Sequence, residues 1–297
     1  MGMVITGLGR SAKLAQGIAK AGGWKLVNAI ESQFPDGEDY IRFKGSLRGA
    51  DLVVVNTLYP PNDELMACLI AADAARSLGA RRLVLVAPYL AYMRQDKRFQ
   101  PGEAISSRTI AGLISEKFDR LITVDPHLHR YKSLGEIYSI PARVLHADVP
   151  VADWIRKRLR NPVLVGPDRE SRQWVSKVAK LCDAPFTVMQ KKRFTSTHVR
   201  SSGLDAKTVR GRDVVVLDDI ISSGHTMAGV LQQAAELGAA SITGIGVHGL
   251  FARGAKLMLT ATGARIVTCN AVPGPTARID LAPTIAEALK KESHDAP

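Results

Sequence analysis

The chain has little of what would tie it to a membrane or an oxidising compartment. Its 3 cysteines, Cys68, Cys182 and Cys269, are spread over 297 residues. They are too few and too distant for a disulfide framework or a zinc site, which favours a reducing, cytoplasmic setting. No apolar run approaches the roughly 18 residues of a membrane span. The opening MGMVITGLGR lacks the charged region and long apolar segment of a signal peptide, so it reads as a first strand. Aromatic residues make up only 5% and do not interleave with the basic clusters, which argues against nucleic acid as a partner. Acids are also in short supply: 28 against 40 lysines and arginines, for a net charge of +12. That surplus suits phosphate-rich small substrates, with a basic surface of no special purpose as the plainer alternative.

What remains is a globular α/β composition, 46% hydrophobic and long enough for about two domains. Short β-branched runs at Val4–Thr6, Leu52–Val55, Leu83–Val86, Leu121–Val124, Val163–Val165, Val214–Leu217 and Ile242–Val247 read as buried parallel strands. Helical patterns lie between them. A degenerate repeat also shows. The segment from Asp51 and the segment from Asp213 both run strand, loop, helix, "LGA", strand. The first has Asn56-Thr57 where the second has Asp218-Asp219. We expect two related α/β domains, 1–148 and 149–297, joined near HADVPVADW at 146–154, with one sugar-phosphate site per chain in the second.

That site is read from VVVLDDIISSGHTMAGVLQQAAELGA, where a buried strand runs into two acids, a small polar loop and a helix. The open N–H groups of a helix start hold phosphate well, and Ser222, Ser223 and Thr226 can add hydroxyl donors. Asp218 and Asp219 would repel phosphate. They suit sugar hydroxyls, or a Mg²⁺ shared with a sugar. An ordinary βα loop with a serine cap is the alternative.

Other segments carry chemistry with open alternatives. FPDGEDYIR contains a Pro-Asp-Gly turn signal, and its aromatic and carboxylates could also meet a purine. PYLAYMRQDKRF places Arg94 and Gln95 on a loop after a strand, where arginine suits phosphate or the loop is plain surface. TVDPHLHRYK sets Asp125, His127 and His129 at alternate positions, a metal set or a hydrogen-bonded loop. VLVGPDRESRQW puts Asp168 at the C-terminal end of a strand, where parallel sheets gather ligands. Finally, VMQKKRFTSTHVRSSG is a solvated loop or a mobile lid bringing Lys191 and Arg193 to a reaction.

In order and nearly end to end, FPDGE, RQD, DPH, GPD, KKR and DDIISSGHT resemble the ribose-phosphate pyrophosphokinases, the phosphoribosyl diphosphate synthases. DDIISSGHT alone also fits the phosphoribosyltransferases; FPDGE with RQD and KKR is far more specific. The resemblance implies two phosphoribosyltransferase-like domains, each a mainly parallel sheet flanked by helices. It also implies ATP and ribose 5-phosphate as substrates and Mg²⁺ as cofactor. It assigns Phe34, Asp36, Gly37 and Glu38 to adenine, reaching into a neighbouring subunit's site, and Arg94 and Gln95 to ATP. His127 and Asp168 would bind Mg²⁺. Lys191 and Arg193 would be the catalytic cations of a flexible loop, Arg193 also meeting ribose 5-phosphate. Asp218 and Asp219 would take the ribose, and Ser222, Ser223, Gly224, His225 and Thr226 the 5-phosphate. A homo-oligomer follows, at least a dimer, with tetramer and hexamer open. His225 departs from the usual Gly or Ala, and Arg169–Arg172 from a Gly-Gly-rich turn, a version that looks more like the archaeal-type branch. A phosphoribosyltransferase would carry a nucleobase pocket in place of the ATP segments. Intact Lys191, Arg193, His127 and Asp168 argue against a non-catalytic regulatory paralogue.

Overall fold

The computed structural model describes residues 2–193, 199–202 and 204–294. The chain divides into two compact units, one formed by Met1–His146 with Leu281–Pro297, the other by Ala147–Asp280.

The first unit contains strands β1 (Met3–Gly7), β2 (Lys25–Leu26), β3 (Ala29–Gln33), β4 (Asp39–Phe43), β5 (Asp51–Val55), β6 (Arg82–Ala87), β7 (Arg120–Val124) and β8 (Ala142–Leu145). Its helices are α1 (Ala12–Gly22), α2 (Pro61–Ser77) and α3 (Ser106–Lys117). The sheet order is β2-β1-β5-β6-β7-β8, parallel throughout. On the central strand β5, Leu52, Val53, Val54 and Val55 are all fully buried, as a strand covered on both faces requires. β3 and β4 form a separate antiparallel hairpin.

The second unit contains β9 (Pro162–Gly166), β10 (Phe186–Val188), β11 (Gln190–Arg193), β12 (Val199–Ser202), β13 (Asp213–Ile221), β14 (Ser241–Gly249), β15 (Arg265–Cys269) and β16 (Ala277–Ile279). Its helices are α4 (Asp148–Arg158), α5 (Arg172–Cys182), α6 (Ala206–Val209), α7 (His225–Glu236) and α8 (Ala255–Ala261). The order β10-β9-β13-β14-β15-β16 repeats the first sheet strand for strand and is again parallel. The antiparallel ribbon recurs as well, β11–β12 standing in sequence where β3–β4 stands in the first unit. The repeat legible around Asp51 and Asp213 therefore extends through each whole unit.

The last helix, α9 (Ala282–His294), departs from the expected division at 148/149, which kept the C-terminus in the second domain. It packs on α1 of the first unit. Its buried Ile285, Ala286 and Leu289 complement the buried Leu14, Ala15, Ile18 and Ala19 of α1. Gly17 allows the close approach, since a Cβ there would lie 3.0 Å from that of Ala282. The Glu292 carboxylate, 2% exposed, meets Arg120 at 3.1 Å.

Candidate active site

In the second unit, β13 runs four residues beyond the apolar stretch that announces it. Pairing with β14 continues through Asp218↔Gly246 and Ile220↔His248 to Ile221↔Gly249, so both acids lie on the strand itself. Each folds back on the backbone: Asp218 Oδ1 accepts from the Asp219 N–H at 3.0 Å, and Asp219 Oδ1 from the Ile220 N–H at 2.8 Å. Asp168 follows the neighbouring strand β9. Its Oδ1 accepts from the Ser171 N–H at 3.0 Å, while Ser171 Oγ donates to the Asp168 carbonyl at 2.6 Å, closing a tight turn into α5. Burial first, then the charge and hydrogen bond of Asp219 and the charge of Asp168, raise the Asp218 carboxyl well above the ordinary range. Three carboxylates thus crowd the C-terminal ends of two adjacent strands, a place that favours a cation and hydroxyl donors.

The loop that follows has the opposite character. Gly224, at φ +75°, turns the chain into α7, whose first turn holds no acid and whose cap has no side-chain bond. The first-turn N–H groups therefore face a ligand position with the positive end of the helix dipole. Ser223, His225 and Thr226 are exposed around it. The loop is braced from beneath by the chain after β14: the Leu250 and Phe251 N–H groups donate to the Ile221 carbonyl, and that of Ala252 to Ser222, all at 3.0 Å. A Cβ on Gly224 would come within 3.0 Å of Leu259 Cδ1, so α8 forms the loop's floor. Sequence reasoning missed this brace, since backbone bonds leave no residue signature; the strained Phe251, at φ +46°, marks it only in three dimensions.

Lys191 and Arg193 occupy alternate positions of β11, opposite Ser201 and Val199 of β12. The segment read as a solvated loop or a mobile lid contains the antiparallel pair β11–β12; residues 194–198 and 203 lie outside the described residues.

In the first unit, FPDGE forms the turn of the β3–β4 hairpin. The Gly37 N–H donates to the Phe34 carbonyl at 2.9 Å and the Phe34 N–H to that of Glu38 at 2.8 Å. Gly37, at φ +94°, supplies the conformation the turn demands. Phe34 is 52% exposed, with an edge contact to Tyr40. Such a bare ring beside Asp36 and Glu38 is available to a flat ligand.

Arg94 and Gln95 follow β6, and His127 follows the adjacent β7. The two loops are tied together by Asp96, a buried acid that accepts from Arg130 Nη1 at 2.9 and 3.2 Å. Tyr131 adds a bond from its hydroxyl to the Asp96 carbonyl at 3.2 Å. Of the two readings of the alternating set Asp125, His127 and His129, the hydrogen-bonded loop is the one seen. Asp125 pairs with His146 Nδ1 at 2.7 Å, and the His127 and His129 rings lie edge to face with centroids 3.9 Å apart. Among the described residues no three His, Cys, Asp or Glu side chains gather as a protein-only metal cage. Mg²⁺ does not ask for one: it is usually held by one or two carboxylates, several waters and substrate phosphates. Asp168, which follows β9, is a carboxylate of that kind.

Comparison with known proteins bears on both halves. Residues 3–117 match the model of the N-terminal domain of ribose phosphate pyrophosphokinase, and 133–276 that of the phosphoribosyl transferase domain. The two units are accordingly phosphoribosyltransferase-type domains. A ribose-phosphate pyrophosphokinase of Methanopyrus kandleri is 34% identical, over 98% of this chain and 100% of its own. One of Saccharolobus solfataricus is also 34% identical, over 97% and 100%. The crystal structure of phosphoribosylpyrophosphate synthetase from Mycobacterium smegmatis superposes with a TM-score of 0.84 at 26% identity, covering 100% of both chains. The chain belongs to the ribose-phosphate pyrophosphokinase family.

Proposed function

We propose that the chain carries out the reaction for which its family is named, with the roles divided by the sign of charge just described. O1 of ribose 5-phosphate forms a bond to the β-phosphorus of ATP. The bond between that phosphorus and the bridging oxygen breaks, AMP leaves with the oxygen, and the O1 proton passes to solvent. The products are 5-phosphoribosyl 1-diphosphate and AMP. Such a transfer depends on positioning and charge neutralisation more than on covalent help.

The observation that carries this reading is the acid pair Asp218-Asp219 set directly before an acid-free helix start. The carboxylates accept hydrogen bonds from ribose hydroxyls. Ser222, Ser223, Gly224, His225 and Thr226 surround the 5-phosphate and donate to it through N–H and hydroxyl groups. Phe34, Asp36, Gly37 and Glu38 hold adenine, the ring by stacking and the acids by accepting from its amino group or the ribose. Arg94 and Gln95 meet the ATP phosphates and sugar, their loop fixed by Asp96–Arg130. Lys191 and Arg193 stabilise charge on the transferred group and the departing AMP oxygen, Arg193 also reaching ribose 5-phosphate. His127 and Asp168 are the protein ligands assigned to Mg²⁺. When bound, Mg²⁺ supplies charge neutralisation on the polyphosphate and holds the sugar hydroxyls.

The adenine segment and the sugar-phosphate cradle lie in different units, and we assign the complete site to a homo-oligomer, at least a dimer, with adenine held across a subunit boundary. ATP as substrate and three free cysteines accord with a cytoplasmic enzyme. The test is direct: purified protein with ATP, ribose 5-phosphate and Mg²⁺ should form AMP and the sugar diphosphate in equal amounts, and excess chelator should stop it. Undiminished activity in chelator would overturn the metal assignment, and failure to form AMP with every substrate supplied would overturn the function.

A further inference from the structure

We propose that Glu31 is a positioning residue for ATP: its bond to the Gly9 N–H sets the angle at which the β3–β4 hairpin presents Phe34, Asp36 and Glu38. This rests on the assignment of the hairpin to adenine. The hairpin is mostly exposed, from Glu31 through Asp36 to Glu38. β4 packs on α2, with Phe43 buried at its base. That contact alone leaves a hinge. The second attachment is on β3, where both Glu31 oxygens accept from the Gly9 N–H, at 3.0 and 2.8 Å.

The partner is unusual. Gly9 lies just after β1, at φ +51°, and a Cβ there would fall 2.6 Å from both oxygens of Glu64. The backbone at Gly9 thus threads between two carboxylates. Glu64 is itself fixed: 9% exposed on α2, it accepts from Asn56 Nδ2 at 2.8 Å, and Asn56 is fully buried beyond β5. A continuous path runs from the hairpin through Gly9 to α2 and the end of the central strand β5. The charges facing this path are mixed. Arg10 favours the ionised Glu64, while Asp63 opposes it; Glu64 disfavours ionisation alongside Glu31, and Asp39 opposes Glu31. Burial raises both carboxyls, and the Gly9 N–H is the chief opposing influence on Glu31. Two acids facing one backbone N–H are a poor source of stability. They are an effective way to fix a direction.

The lever arm gives the scale. Glu31 precedes Phe34 by three residues, about 10 Å along a strand. A tilt of about 10° about the α2 contact would move the turn by roughly 2 Å, and a misplacement of about 1 Å can cost about 100-fold in rate.

The experiment is steady-state kinetics on the full-length enzyme with both substrates varied. Glu31→Ala should raise KM for ATP about 10-fold or more, the scale of a lost hydrogen bond to a charged group, and leave KM for ribose 5-phosphate within about two-fold. Glu31→Gln, which keeps one acceptor, should recover most of the loss. Gly9→Ala, which forces the backbone away from Glu64, should reproduce the ATP-selective defect and decides the matter if Glu31→Ala folds poorly. Equal effects on both substrates, or an unchanged KM for ATP, would overturn the proposal. Asp36→Ala separates this from the underlying assignment. If it weakens ATP while Glu31→Ala and Gly9→Ala do not, only the positioning role falls; if it leaves ATP untouched, the hairpin is not the adenine site and both fall.

Discussion

Asp218→Asn should make the empty protein more stable while removing its substrate. Burial, with like charge from Asp219 and Asp168, pushes the Asp218 carboxyl from 3.8 up to about 8. An acid raised in this way contributes stability only below its unfolded value, and that contribution is lost as pH climbs through the folded one. At pH 7 folding therefore works against roughly three pH units, or about 4 kcal/mol at about 1.36 kcal/mol per unit. At pH 5, nearer the unfolded value, the cost is less than half of that. Asp219 carries part of the same repulsion, so these are ceilings. An asparagine has nearly the same shape and no charge to desolvate. At about 2 °C per kcal/mol for a chain of this length, the variant should gain up to about 3 °C at pH 5 and about 8 °C at pH 7, levelling off above pH 8. Scanning calorimetry without ligands, from pH 5 to 9, measures this. Ribose 5-phosphate at about 100 times its Kd should then stabilise the wild type by about 2.7 kcal/mol and the variant far less. Parallel melting curves at every pH, or a variant less stable at pH 7, would refute the argument that these acids are held together for a ligand.

Gly224→Ala should raise KM for ribose 5-phosphate about 10-fold, because a left-handed alanine costs roughly 1–2 kcal/mol and its Cβ meets Leu259. Adding Leu259→Ala should restore only the contact part of that loss, and full restoration in the kinetics would show that backbone strain is irrelevant. Lys191→Ala should lower kcat and kcat/KM together by about 10²–10³, whereas a raised KM at unchanged kcat would make the ribbon a binding element only. Mixing an Asp36→Ala/Glu38→Ala chain with an Asp218→Ala chain should regain activity through hybrid sites; silence in verified mixed oligomers would mean that each site is built within one chain.

The parts of this fold that show in the sequence are those whose environment is uniform. All seven expected strands lie within β1, β5, β6, β7, β9, β13 and β14, because a strand covered on both faces reads as a nearly continuous apolar and β-branched run. The edge strands β2, β10 and β16 are too short to carry a pattern, and the β3–β4 hairpin is too exposed to need one. The end of β13 was hidden for a different reason. Asp218-Asp219 break the apolar run, yet backbone pairing with β14 carries the strand on to Ile221. Polar residues placed against the local grain, such as this acid pair, are what made the cradle legible. Asp125 shows the limit: its spacing to His127 and His129 fits a metal set or a hydrogen-bonded loop equally, and spacing alone gives no hint of the bond to His146, 21 residues away. Neither the brace at Leu250–Ala252 nor the bond from Gly9 to Glu31 has a sequence signature, since each uses a backbone group that every residue but proline possesses.

The duplicated scaffold carries opposite chemistry at the same place in its two copies. In the second unit, β13 ends in acids and α7 begins on Gly224 with no carboxylate in its first turn. In the first, the equivalent strand β5 is followed by Asn56-Thr57, and both are engaged internally. The Asn56 side chain donates to Glu64 at 2.8 Å, and the Thr57 N–H donates to Ser11 Oγ at 2.8 Å. The following helix α2 opens with Pro61, which lacks an N–H, and carries Asp63 and Glu64 in its first turn. A phosphate placed there would lose a donor and meet two negative charges. The same acid, Glu64, lies against Gly9, where the Glu31 contact holds the hairpin. What closes the first unit to phosphate thus also anchors the element assigned to adenine. The two copies of one topology thus differ in the sign of charge at a single helix turn, acid-free in α7 and acidic in α2.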